Sequence, residues 1–208
     1  MRYVAKLALA IVLCAAAVLP AAAQTETLDT EQRILVQEIL AEVRRIDTLR
    51  ADFVQVNPNG SRWTGTFYLD RPGHMRIEYD NEPYLYVADG NFLSYYDGEL
   101  DQRSDIPLGQ SLADFFVREE IGLDDDVTVV DAGHSGDSVY ATVVQADDPG
   151  AGTLTLYLTD QPRALERWVV VDGQGQRTEV TLTSRETNVA LSDDLWRAPR
   201  PERDYRPD

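Results

Sequence analysis

The chain has 208 residues, with 36 acidic against 19 basic side chains and a formal net charge of −17. That balance lacks the basic patch that nucleic acid or an anionic bilayer selects for, and argues against both as partners. A single cysteine, Cys14, excludes an internal disulfide framework, so a folded domain must be held by its apolar core.

The first residues read as a leader. Arg2 and Lys6 form a short basic region, residues 7–19 are almost purely apolar, and Ala21 and Ala23 supply a small-residue cleavage pair. This pattern predicts a secretory signal peptide over 1–23 and a mature chain from Gln24. A single domain is expected over 24–208, with an arginine- and proline-rich tail at 197–208. Cys14 would leave with the leader, and Leu13 before it stands where a lipidation motif needs a small residue. Losing Arg2 and Lys6 would leave 17 basic side chains against 36 acidic ones, a formal charge of −19. No later apolar run is long enough to cross a bilayer as a helix.

"DTEQRILVQEILAEVRRID" then places Leu35, Ile39, Val43 and Ile46 at helical spacing, with Ile34 and Leu40 widening the stripe. Asp29 can cap the start, with Gln32 three residues on. The opposite face is charged, so this helix is expected to lie on something with one side.

Beyond it the period changes to two. "ADFVQVN" leads to the turn signal Asn59-Gly60, and Trp63, Gly65, Phe67 and Leu69 alternate with Thr64, Thr66 and Tyr68. Met75, Ile77 and Tyr79 alternate with Arg76 and Glu78, and two short runs flank Asp89-Gly90 before a further turn at Asp97-Gly98. "SLADFFV" reads as a short amphipathic helix. "VTVV", "SVYATVV", "TLTLYL", "RWVVV" and "TEVTLT" follow as strands separated by polar, glycine-containing loops. The fold class expected is mainly β with α: a large antiparallel meander of about ten or eleven strands, closed into a barrel or strongly curved into a half-barrel. One long helix and one short one cannot cover so many strands, so side chains or a ligand must occupy the concave side.

Signals for chemistry are weak. "GHSGDS" (133–138) approaches the nucleophile-elbow pattern, but Asp137 replaces its last glycine and the flanks read strand–strand rather than strand–helix. A hairpin loop accounts for it. The two histidines, His74 and His134, are far apart in sequence, and "DDD" at 124–126 lacks the spaced ligands of a calcium loop. No catalytic residue, metal site or cofactor is assigned. In the tail, Arg197, Arg200, Arg203 and Arg206 recur every third residue among prolines, which would align them along one edge of a polyproline helix. A solvated tail lying on an acidic body is the simpler expectation.

The ordered set of segments is more specific than any one of them. "LRADFVQ" after an amphipathic helix, then "GTFYLDRPGHMRIEY", "YVADGNFLSYYDGELDQ", "TLTLYLTDQPRALERWVVVDGQGQRTEVTLT" and "NVALSDDLWRAPRP", resembles the outer-membrane lipoprotein carrier family, LolA, over about 28–201. The resemblance implies an incomplete antiparallel β-barrel with short lid helices over a hydrophobic cavity. It further implies a periplasmic carrier rather than an enzyme. Such a carrier takes acylated lipoproteins from an inner-membrane lipoprotein-releasing ABC transporter to the outer membrane, where a receptor of the LolB type can receive them. LolB itself begins with a lipidated cysteine, which the expected start at Gln24 does not offer. A lipid-binding or lipoprotein-sensing module on the same fold is the alternative. A monomer is expected, since handover needs a free rim. By the resemblance, Arg71 before Pro72 matches the arginine that holds the lid closed. Arg76 has no such match and is expected to point outward, paired with a carboxylate. The expected acyl-chain cavity comprises Phe53, Trp63, Phe67, Leu69, Met75, Ile77 and Tyr79 from the sheet and Leu112, Phe115 and Phe116 from the lid. Trp196 departs conservatively from the phenylalanine usual near the last strand.

Overall fold

The computed structural model describes residues 28–111, 113–119, 121 and 127–201. The expected leader and the 124–126 acidic run lie outside them, as do Leu112 and the tail arginines 203 and 206. In chain order the elements are α1 (Thr30–Arg44), β1 (Thr48–Val56), β2 (Arg62–Asp70), β3 (His74–Tyr79), β4 (Tyr84–Asp89), β5 (Phe92–Asp97) and β6 (Gln102–Pro107). A 3₁₀ turn (Leu108–Gln110) and α2 (Asp114–Val117) lead to β7 (Val127–Ser135), β8 (Ser138–Gln145), β9 (Gly152–Thr159), β10 (Ala164–Asp172) and β11 (Arg177–Leu182). The two-residue β12 (Glu186–Thr187) and a second 3₁₀ turn (Asp193–Trp196) end the described chain.

All strand pairs are antiparallel, in the order β6-β5-β4-β3-β2-β1-β11-β10-β9-β8-β7, with β12 added beside β1. Two meanders therefore meet at β1. The chain runs outward from β1 to the edge at β6, crosses to the opposite edge at β7, and returns strand by strand until β11 pairs with the free side of β1. The edges β6 and β7 do not pair, so the sheet is curved but not closed. The crossing between them is residues 108–126, the longest connection in the sheet, and it carries α2.

β6 was not legible as a strand. Its side chains are mostly exposed, so no burial alternation marks it, and it pairs through its backbone with β5 alone. Arg103 and Asp105 on this edge form an ion pair at 2.7 Å. Charged, short edges of this kind discourage pairing with other chains.

The helix α1 begins with a full capping box: Asp29 Oδ1 accepts from the Gln32 amide at 2.8 Å, and the Asp29 amide donates to Gln32 Oε1 at 3.0 Å. Its buried face is Leu35, Val36, Ile39, Leu40 and Val43, packed on β7, β8 and β10. Ile34, expected in the stripe, is instead 57 % exposed. The buried face is rotated because the sheet beneath, rather than the helix's own periodicity, decides which side is covered. Ile46 lies beyond the helix end and packs against the core from the following turn.

Inward-facing residues of both meanders build the core, among them Leu49, Phe53, Phe67, Leu69, Leu154, Leu156 and Leu158. The sheet packs tightly at Gly65, opposite Tyr79 on β3. A Cβ there would lie 2.0 Å from the Glu78 carbonyl oxygen and 2.9 Å from the Phe53 ring. Only glycine permits so close an approach of β2 to its neighbour. Gly65→Ala is accordingly expected to cost roughly 2 kcal/mol, as overpacking a tight site does, read as a lower urea midpoint; an unchanged midpoint would show that the strands can part freely.

Candidate functional site

With α1 lying over β7, β8 and β10, the opposite part of the concave face stays uncovered by α1. A cavity of about 420 Å³ lies there, walled by both meanders. Trp63 and Phe67 of β2, Met75, Ile77 and Tyr79 of β3 and Tyr86 of β4 form one side; Leu154, Trp168, Val170 and Val180 form the other. Phe116 of α2 borders it from the crossover connection, and Gln55 of β1 stands at the seam. Phe67, Phe116 and Trp168 form a mutual aromatic contact, with centroids 5.1 Å apart for the two tryptophan pairs and 6.1 Å for the phenylalanines. This is where α2 meets both walls.

Of the residues expected here, Trp63, Phe67, Met75, Ile77, Tyr79 and Phe116 border the cavity. Phe53 and Leu69 do not. They point to the same face but are fully covered, Phe53 by the edge of the Tyr79 ring at 5.6 Å and Leu69 in the packed core. Phe115 is also buried, on the far side of α2, where it borders a smaller cleft with Val127, Val143 and Val144. Gln55, Tyr86, Trp168, Val170 and Val180 were missed. Alternation marks each as facing one side of its strand, but only the β1–β11 pairing places β10 and β11 across from β2 and β3.

Arg71 sits in the β2–β3 turn, at the end of the cavity remote from Trp63. Its Nε donates to the Phe116 carbonyl at 2.6 Å, and its NH1 donates to the carbonyls of Val43 at 2.7 Å and Ile46 at 3.0 Å. One guanidinium thus joins the end of α1 to the end of α2. Burial pulls its pKa down to about 10, with Asp47 opposing, so it stays charged at neutral pH. The peptide bond before Pro72 is cis. Two residues on, the Gly73 amide donates to the Val117 carbonyl at 2.7 Å. Gly73 has φ +93°, and a Cβ there would lie 2.9 Å from the Gly90 Cα. A second arginine adds to the clasp: Arg44 Nε donates to the Ile121 carbonyl at 2.5 Å.

Arg76 lies on the opposite, convex face. Its NH2 pairs with Glu78 at 2.7 Å and its NH1 donates to the Leu195 carbonyl at 3.1 Å. His74 stacks on Trp196 at 5.3 Å, so β3 also anchors the C-terminal 3₁₀ turn. "GHSGDS" forms the β7–β8 hairpin, strand to strand, with Ser135 exposed. Among the described residues no group of acidic, histidine or cysteine side chains could hold a metal, and no helix is long and apolar enough to cross a membrane.

The mouth of the cavity is aromatic. Trp63 contacts Tyr79 at 5.3 Å and Tyr84 at 5.5 Å, and Tyr95 contacts Tyr84 at 6.0 Å and Tyr86 at 4.9 Å. Burial pushes the phenols of Tyr79 and Tyr86 above their ordinary range, and that of Tyr95 up to about 12. A raised phenol pKa contributes stability that is complete below the unfolded value of ~10 and is lost as pH rises through the folded values. Arg71, whose pKa is lowered, works in the opposite sense over the same range, but it is one group against three. The urea midpoint should therefore hold to about pH 10 and fall above it, with Tyr86→Phe blunting the fall. Complete tyrosinate absorbance at that pH with the fold intact would contradict this.

A model of the family "Outer membrane lipoprotein carrier protein LolA" matches residues 44–198. An outer-membrane lipoprotein carrier protein of Methylococcus capsulatus is 28% identical over 159 residues, covering 72% of this chain and 76% of that one. Among solved structures, a LolA superfamily protein from Nitrosomonas europaea is similar with a TM-score of 0.42 and 11% identity, over 78% of this chain and 97% of the other. The Pseudomonas aeruginosa MucA/MucB complex contains a chain similar with a TM-score of 0.41 and 19% identity, over 81% of this chain and 61% of the other. The family match takes in all twelve strands and both faces of the cavity, and the chain belongs to the LolA family of outer membrane lipoprotein carrier proteins.

Proposed function

We propose that this protein is a periplasmic carrier that shelters the acyl chains of lipoproteins released from the inner membrane and gives them up at the outer membrane. The observation that carries the reading is an apolar cavity beneath a connection held by hydrogen bonds that a ligand could break. Residues 1–23 would be removed on export, and the single domain from Gln24 would do the work by binding alone. An inner-membrane ABC transporter would load it, and an outer-membrane receptor of the LolB type would unload it.

The energetics fit that task. Each methylene exposed to water costs ~0.8 kcal/mol, so acyl chains cannot cross an aqueous compartment bare. At ~30 Å³ per group, the share of one water in the liquid, a 420 Å³ cavity holds about fourteen methylenes. That is roughly one acyl chain. A lipoprotein with three chains needs the cavity to widen, and the crossover connection is the piece that can move. Its attachment is polar. Hydrogen bonds from a charged donor are worth ~1.5–3 kcal/mol each, enough to favour a closed empty state and little enough for entering hydrocarbon to offset.

Purified protein from Gln24 onward, mixed with a synthetic triacylated lipopeptide, should give a one-to-one complex by native mass spectrometry. Arg71→Leu removes the bonds that favour the closed state, so the open, binding-competent population rises. The variant should retain the lipopeptide more tightly, by about tenfold, and release it more slowly. No complex with the intact protein would end the carrier reading. Unchanged or weaker retention by the variant would remove Arg71 from the gate.

A further inference from the structure

The cavity floor is apolar, but its mouth carries an ordered polar chain. Gln55 borders the cavity and is only 7% exposed. Its Oε1 accepts from the Tyr79 hydroxyl at 2.8 Å, and its Nε2 donates to Asn57 Oδ1 at 2.7 Å. Asn57 Nδ2 continues the chain to Ser61 Oγ at 3.0 Å. Gln55 stands opposite Trp63 on β2 and opposite Val180 on β11, so it is fixed at the seam where the two meanders join.

A leucine would line this wall without the cost of burying an amide, which is substantial unless every group is bonded. The carboxamide has two N–H donors. Among the described residues it spends one, on Asn57. Tyr79 and Asn57 hold the group from both ends, so the amide cannot rotate without losing both bonds. A fixed donor at the mouth of an apolar cavity suits a ligand that is hydrocarbon inside and carries a hydrogen-bond acceptor where the hydrocarbon ends. An acyl chain meets that description at its carbonyl oxygen, whether the carbonyl belongs to an ester or an amide.

We propose that Gln55 donates its second N–H to the acyl carbonyl of the cargo, with Tyr79 and Asn57 as positioning residues, so that the site recognises acyl groups rather than hydrocarbon in general. The proposal rests on the carrier reading above and names the chemistry that reading would select. It also explains why polar groups gather at the mouth while the floor is apolar: the chain is drawn in tail first and stopped at its head.

The test measures affinity for three lipopeptides of one sequence: a diester-linked dipalmitoyl glyceryl form, its dialkyl ether analogue, and the ether analogue carrying an added N-palmitoyl amide. Gln55→Leu should weaken the diester by about three- to tenfold, the worth of one hydrogen bond, and leave the ether unchanged. A loss confined to the N-palmitoyl form would place the amide carbonyl, rather than the ester, at Gln55. Tyr79→Phe keeps the ring contacts and should give a smaller loss with the same ligand dependence, which carries the test if Gln55→Leu folds poorly. An equal loss for ester and ether would overturn the proposal and leave the carrier reading standing. Failure of the unaltered protein to bind any of the three would overturn both.

Discussion

The architecture turns on one partly buried cation. Arg71 gives its hydrogens to three carbonyl oxygens, one at the end of α1, one in the turn that follows it and one at the end of α2. Carbonyls near helix ends keep acceptor capacity to spare, and a guanidinium partly withdrawn from water without partners would be costly. Each side solves the other's problem. Yet the partners are neutral carbonyls rather than a carboxylate, so the contact lacks the depth of a buried ion pair. Separating it exposes dipoles, which water can satisfy. That is the character a latch needs.

Topology places this contact. A sheet of two meanders sharing β1 has to be crossed once, from the β6 edge to the β7 edge. Because the sheet is curved and its edges do not pair, the crossing runs beside the concave face and becomes a cover there. The β2–β3 turn meets it through Arg71 and Gly73, while the same strand β3 holds the C-terminal 3₁₀ turn on its outer face through Arg76 and His74. At the other end of the cavity no such clasp stands among the described residues. The aromatic mouth around Trp63 and the chain from Tyr79 through Gln55 to Asn57 face that end. Arg71 and the aromatic mouth are thus separated by the length of β2, so in the proposed carrier the cover would be released at one end while a ligand is held at the other.

Much of this was legible in the residues, for identifiable reasons. The capping box of α1, the turns at Gly60, Gly90 and Gly98, and the strands with alternating burial all depend on local chemistry, and local chemistry is what a sequence displays. Position along a concave face is different. Phe53 and Leu69 point the right way but lie under other side chains, because depth depends on where α1 and the crossover settle. Trp168 and Val170, far from β2 in sequence, join the wall only through the pairing of β1 with β11 and of β11 with β10. The strand β6 was invisible for the opposite reason: an exposed edge has no buried face to alternate. Gln55 stood in plain view within "ADFVQ", but a lone glutamine in a strand says nothing until its partners are known.

The Gly73 amide reports on the latch directly, since it donates to the Val117 carbonyl across the joint. Its hydrogen exchange, measured with and without a triacylated lipopeptide, tests the central claim. The neighbouring Arg71 amide, bonded to the Asp47 carbonyl on the fixed side, serves as the internal reference. The Gly73 amide should be protected in the empty protein and exchange faster when the lipopeptide is bound, with the Arg71 amide unchanged. Protection at Gly73 that stays constant or rises on binding, in a protein that demonstrably holds the lipopeptide, would mean that cargo enters without releasing the cover.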